Sequence, residues 1–220
     1  MATLPQLLAV VIPLAIASMI SPLAIITVMT VLSSAEHRLK KGVIFVATYC
    51  IIFSLICLVF VAVGSLTTTG GKPSLATVTI DFILGFLLLY ASARSLLKKG
   101  ESKTFDATAM GTGALVSMGI AFGFGNIFSS LPALAASKDI GVVVLSLHDK
   151  AIAFFLVMAI TLCWLWGPLV VFAVTPRNFD RIFDPIIRFL KIHGSQIIAA
   201  VFFLVGIFLV ARGVTSAMML

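Results

Sequence analysis

The sequence predicts an all-α polytopic membrane protein whose six transmembrane helices form two inverted three-helix repeats. Three observations lead there. The chain is 61% hydrophobic and 10% charged, with a mean hydropathy of +1.22, far outside the balance of a soluble globular domain. Six of its apolar runs are long enough to cross a hydrocarbon core of about 30 Å, which takes roughly 20 helical residues. A polar-then-proline order in the first run returns in the fourth.

The first run, 4–32, contains ASMISPLAI with Ser18, Ser21 and Pro22. It lacks a basic leading region and is about twice the usual length of a secretion signal's apolar part, so it is expected to stay in the mature protein. The second run covers 43–66, and the third, 77–97, places Asp81 about four residues inside its start, near the outer boundary. An ionisable residue within a span is a functional candidate by default, here for proton coupling. The competing reading is a partly wet acid favoured by the helix dipole.

The fourth run, 111–136, has Gly119 and Gly123 in a spacing that lets helix backbones approach. It continues as GFGNIFSSLPALAAS, where Asn126, Ser129 and Ser130 share a face just before Pro132. The fifth and sixth runs are 151–174 and 195–215. A transmembrane barrel would need short alternating strands, which these runs do not contain.

Proline inside a helix removes one backbone donor, so Pro22 is expected to free the carbonyl of Ser18, and Pro132 that of Phe128. Freed backbone is tolerated at membrane depth where protein, water or a cargo group meets it. The candidate substrate-binding set is therefore Ser18, Ser21, Pro22, Asn126, Ser129, Ser130 and Pro132. The architectural alternative is a kink whose freed carbonyl a nearby hydroxyl satisfies, and Pro13 and Pro168 show that prolines are not confined to the paired motifs.

The third and sixth runs also echo each other, LGFLLLYASAR against VGIFLVAR. Together these likenesses suggest a first repeat over 1–97, a cytoplasmic connection over 98–110 and a second repeat over 111–220. Three spans being odd, the halves would insert in opposite senses, with a site near the bilayer midplane.

Charge sets the expected orientation. Eleven of the 15 basic residues fall in or around the connections after runs one, three and five, leaving Lys72, Lys138, Lys150 and Arg212 on the other side. The first group belongs in the cytoplasm, so both termini face outward. The net charge of +7 is then a topology signal, with no soluble domain to bind nucleic acid.

Cys50, Cys57 and Cys163 stand singly, and His37, His148 and His193 lie in or beside loops. No CxxC pair, metal-ligand spacing, GxSxG, HExxH, P-loop or dinucleotide fingerprint occurs, so neither an enzyme nor a metal or other cofactor is expected.

The segment 175–194, TPRNFDRIFDPIIRFLKIHG, reads as two short amphipathic helices capped at Thr175-Pro176 and Asp184-Pro185. Phe179, Ile182, Phe183, Ile186, Ile187 and Leu190 would enter the membrane interface, with Arg177, Arg181, Arg188 and Lys191 toward lipid headgroups.

The run from GPLVVFAVTP through RIFDPIIRFLKIHGSQIIAAVFFLVGIFLVARG resembles the C-terminal part of the GAP family, the glycopeptidolipid- and sulfolipid-addressing proteins of the LysE transporter superfamily. SPLAI and LPALAAS are similar to that superfamily's proline-marked first and fourth helices. The resemblance implies a LysE-like, six-helix protein of the inner (cytoplasmic) membrane that exports a lipid or lipid-linked precursor. A small solute such as an amino acid is the alternative cargo, and an accessory scaffold of a lipid-export machine the alternative role. The implied partners are membrane lipids, the cargo, and a second copy or an export machine. With Asp81 standing alone, no intramembrane cluster suits metal cargo.

Overall fold

The computed structural model describes residues 3–19, 21–32, 37–67, 74–97, 111–176 and 179–218. Arg177, the connection 98–110 and the side chains of Pro22 and Lys191 lie outside them. The described residues form eight helices: α1 (Leu4–Met19), α2 (Pro22–Leu32), α3 (Arg38–Leu66), α4 (Leu75–Leu97), α5 (Thr112–Gly125), α6 (Ile127–Val142), α7 (Leu147–Val174) and α8 (Phe179–Ala217).

Four helices are long and apolar enough to cross a membrane: α3, α4, α7 and the part of α8 from Ile192. The remaining two apolar runs are broken. The α1–α2 pair bends by 51° and the α5–α6 pair by 70°, giving up to six spans if each bent pair crosses once. The chain is an integral membrane protein.

The breaks differ from the expected proline kinks. Pro22 opens α2, where its missing N–H would have no intrahelical partner anyway. In the second pair the break is the turn at Asn126, after Gly123 and Gly125, and Pro132 lies buried inside α6. Two further boundaries moved. Helix α6 continues past Ala136 to Val142, which brings Lys138 and Asp139 into the helix. Asp184-Pro185 starts no second helix, because Pro185 is accommodated inside the 39-residue α8.

The amphipathic segment is also placed differently. Phe179, Phe183 and Leu190 belong to the protein core, while Ile182, Arg181 and Arg188 are exposed. Phe172 at the end of α7 meets Phe179 edge-on at 5.0 Å, and Phe179 meets Phe183 at 4.7 Å. Such aromatic pairs fix the entry of α8 against α7.

Helix packing in lipid relies on close contact and interhelical hydrogen bonds, since the tails are as apolar as leucine. The contacts here also give helix directions. A Cβ on Gly119 would meet Thr48, one on Gly123 would meet Ile52, and one on Gly64 would meet the Lys138 carbonyl. Thus α5 and α6 follow α3 in the same sense. Ser92 donates to the Ala199 carbonyl at 2.8 Å and Ser95 to the Ser195 carbonyl at 2.9 Å, while Gly85 and Gly206 abut, so α4 and α8 run antiparallel.

Candidate functional site

Two polar centres interrupt this apolar interior, both built on the α5–α6 pair. The first lies where the two breaks meet. Gly123 faces Ile52, midway along α3, so the turn at Asn126 sits near mid-depth of the bundle. Asn126 Nδ2 donates to Ser21 Oγ at 2.9 Å, and Ser18 Oγ donates to the Ser129 carbonyl at 3.3 Å. Polar residues far apart in sequence are thereby joined across the two breaks.

The backbone at the second break is satisfied locally. The Asn126 carbonyl accepts from Ser129 Oγ at 2.9 Å, Ser130 Oγ at 3.0 Å and the Ser130 amide at 3.3 Å. Tyr49, on α3, lies beside the side chains of Asn126 and Ser130. Ser18, Ser21, Ser129, Ser130 and Pro132 are buried, and Asn126 is half-buried. Of the seven substrate-binding candidates, the six with described side chains therefore share this region, with Pro132 one turn further along α6. Tyr49 gave no sequence signal of its own, because one tyrosine in an apolar span reads as packing.

The second centre corrects the view of Asp81 as a solitary or partly wet acid. Asp81 is 1% exposed and pairs with Lys138, itself fully buried. Lys138 Nζ also lies 3.3 Å from Asp139 Oδ1, and Arg212 bonds to the second oxygen of Asp139. Two acids and two bases from α4, α6 and α8 form one quartet, with Asp81, Lys138 and Asp139 buried and Arg212 partly exposed. Lys138 is not a loop residue, as its place beyond the fourth run suggested, but part of α6; the overlooked signal was the adjacent Lys-Asp pair ending a small-residue stretch, AASKDIGV.

The quartet sits where α3 and α6 cross most closely. A Cβ on Gly64 would strike the Lys138 carbonyl and one on Gly141 the Val61 carbonyl, so only glycines allow this approach. Ser65 Oγ donates to the Gly141 carbonyl at 3.3 Å, as does Lys150 Nζ from α7 at 2.8 Å. Five helices, α3, α4, α6, α7 and α8, are thus tied together within a turn of Lys138.

Neither centre carries a nucleophile–base pair, and among the described residues no three His, Cys, Asp or Glu side chains cluster as metal ligands. The family model described as Sap, sulfolipid-1-addressing protein, matches residues 11–215, a span that includes both centres. No curated protein and no solved structure matches the chain.

Proposed function

The chain belongs to the sulfolipid-1-addressing protein family, and on that footing we propose that it moves a lipid or lipid-linked precursor across or out of the inner membrane, without altering it chemically. The observation carrying this reading is the mid-depth junction of Ser18, Ser21, Asn126 and Ser129, where two broken apolar helices meet through polar groups. Hydrogen-bonding groups at that depth are costly and fit a place where a polar headgroup pauses.

Helix order supports a six-span, inverted-repeat carrier. Each half is a bent pair followed by two long helices. The neighbour relations exchange between halves: α5 packs on α3 as α1 packs on α7, and α4 meets α8 as a pair. A site at such a repeat interface is the usual arrangement in secondary transporters. In this reading Arg181 and Arg188, exposed on α8, gather anionic headgroups on the cytoplasmic side.

The junction's bonds are made within the protein, so cargo enters when the breaks part. That closure also favours a second reading, an accessory scaffold whose polar junction simply holds two halves together. Purified protein in liposomes containing a fluorophore-labelled sulfated glycolipid separates the two. Loss of fluorescence to an impermeant external quencher, beyond that of protein-free liposomes, supports a carrier. The scaffold predicts lipid movement only when a second protein is added. For a carrier, Asn126→Ala is expected to slow the movement about tenfold while membrane abundance stays unchanged, a factor that corresponds to about 1.4 kcal/mol at the rate-limiting step.

A further inference from the structure

Two acidic and two basic side chains, three of the four buried in an apolar bundle, need a reason. Ion pairs removed from water gain little net stability, and well-packed apolar replacements are often as stable or more so. Intramembrane charges accordingly mark functional positions. Here the formal charges of Asp81, Lys138, Asp139 and Arg212 cancel, and the quartet joins α4 of the first half to α6 and α8 of the second.

We infer that this quartet is a proton-binding site, in which one proton taken up by Asp81 breaks its ion pair with Lys138 and releases α6 from α4. The Lys138 ammonium keeps its own proton and remains beside Asp139, whose Oδ1 is 3.3 Å away. Asp81 is the carboxylate that can yield. Among the described residues it has one cationic partner and Asp139 has two, so neutralising Asp81 gives up one ion pair where neutralising Asp139 gives up two.

The surroundings agree. The side chains of Asp81, Lys138 and Asp139 are at most 2% exposed, whereas that of Arg212 is 29% exposed, so the quartet opens outward at its α8 end. From α7, Lys150 reaches the Gly141 carbonyl, one turn from Lys138, and the start of α7 adds exposed His148 and half-buried Asp149, the latter bonded to Ser146 at 2.7 Å. Helix α3 contributes Gly64 and Ser65, which do not titrate. Protonation at Asp81 leaves the quartet with one excess positive charge.

Helix α6 links this event to the mid-depth junction. Lys138 and Asn126 are separated by about 18 Å of one helix at about 1.5 Å per residue, so a shift of α6 away from α4 is felt at both. The inference rests on the reading that the two breaks part to admit cargo, and it names α6 as the element that moves. Its test uses no cargo, so a chain that carries nothing can pass it and a carrier can fail it.

Spin labels at Leu75, starting α4, and Val144, just after α6, report their separation in lipid nanodiscs; both positions are exposed. The label background replaces the three cysteines and carries His148→Gln, which removes the nearest imidazole. The expected result is a second, longer distance that grows as pH falls from about 8 to about 5, by up to about tenfold in population ratio per pH unit, the slope of one proton. Asp81→Asn is expected to populate the longer distance at every pH. A distance distribution independent of pH, or Asp81→Asn indistinguishable from the parent at high pH, overturns the inference. If Asp81→Asn fails to fold, the neutral pair Asp81→Leu with Lys138→Met decides: a lost pH response supports the inference and a retained one overturns it.

Discussion

Gly64 and Gly141 meet backbone to backbone beside Lys138, and their neighbours leave no room for a side chain. A methyl group at Gly64 would strike the Lys138 carbonyl and crowd the Gly141 Cα at 3.1 Å, so the helices must separate. Gly64→Ala is expected to destabilise the protein by about 1 to 3 kcal/mol, the range for overpacking, seen as a lower midpoint in thermal unfolding in detergent. Gly125→Ala is the contrasting case. Nothing lies within 4 Å of its added Cβ, so the same measurement should barely move. At this scale the sequence was partly readable. Serines and an asparagine inside apolar runs announce themselves, and the structure joins them; Asp81 was visible, but its partner was not, because Lys138 looked like the first residue of a loop. Partnership between α4 and α6 is a tertiary fact that no local pattern encodes.

Helices α5 and α6 behave as one broken element. Pro132 removes one hydrogen bond from α6, and alanine is favoured over proline in a helix interior by roughly 3 kcal/mol. Pro132→Ala is therefore expected to keep or raise thermal stability while lowering lipid movement in the liposome assay, because a stiffer α6 no longer adjusts at the junction. Equal stability with equal movement would make Pro132 architectural. On the α4–α8 pair, Ser92→Ala removes one bond to the Ala199 carbonyl, and the expected loss is about 0.6 kcal/mol, the average for such bonds in a membrane protein. Long uniform runs such as α3 and α7 were legible from hydropathy alone. The start of α8 was not, because a stripe of Phe179, Phe183 and Leu190 fits a protein core as well as a membrane surface, and only the position of α7 decides between them.

For the whole molecule, helix direction bears on how often the chain crosses the membrane. A re-entrant pair would send α6 back along α5. Instead Gly119, Gly123 and Lys138 meet α3 at Thr48, Ile52 and Gly64 in rising order, so the pair advances along about 24 Å of α3 at about 1.5 Å per residue. That advance is most of a hydrocarbon core of about 30 Å, as the proposed six-span reading requires of a bent pair that crosses once. Likewise, Ser18 meets Ser129 while Ser21 meets Asn126, so α1–α2 runs against α5–α6, as the proposed topology requires of its first and fourth spans. Under the proposed six-span topology the C-terminus returns to the side of the N-terminus, with the basic residues at the start of α3 in the cytoplasm. Single cysteines at Thr3 and Met218, in a background lacking the native three, are thus expected to react with an impermeant maleimide added outside intact cells. A cysteine at Lys40 should react only after the membrane is opened. Labelling of Thr3 and Met218 from opposite sides would mean an odd number of crossings, and with it one bent pair that turns back and no inverted repeat.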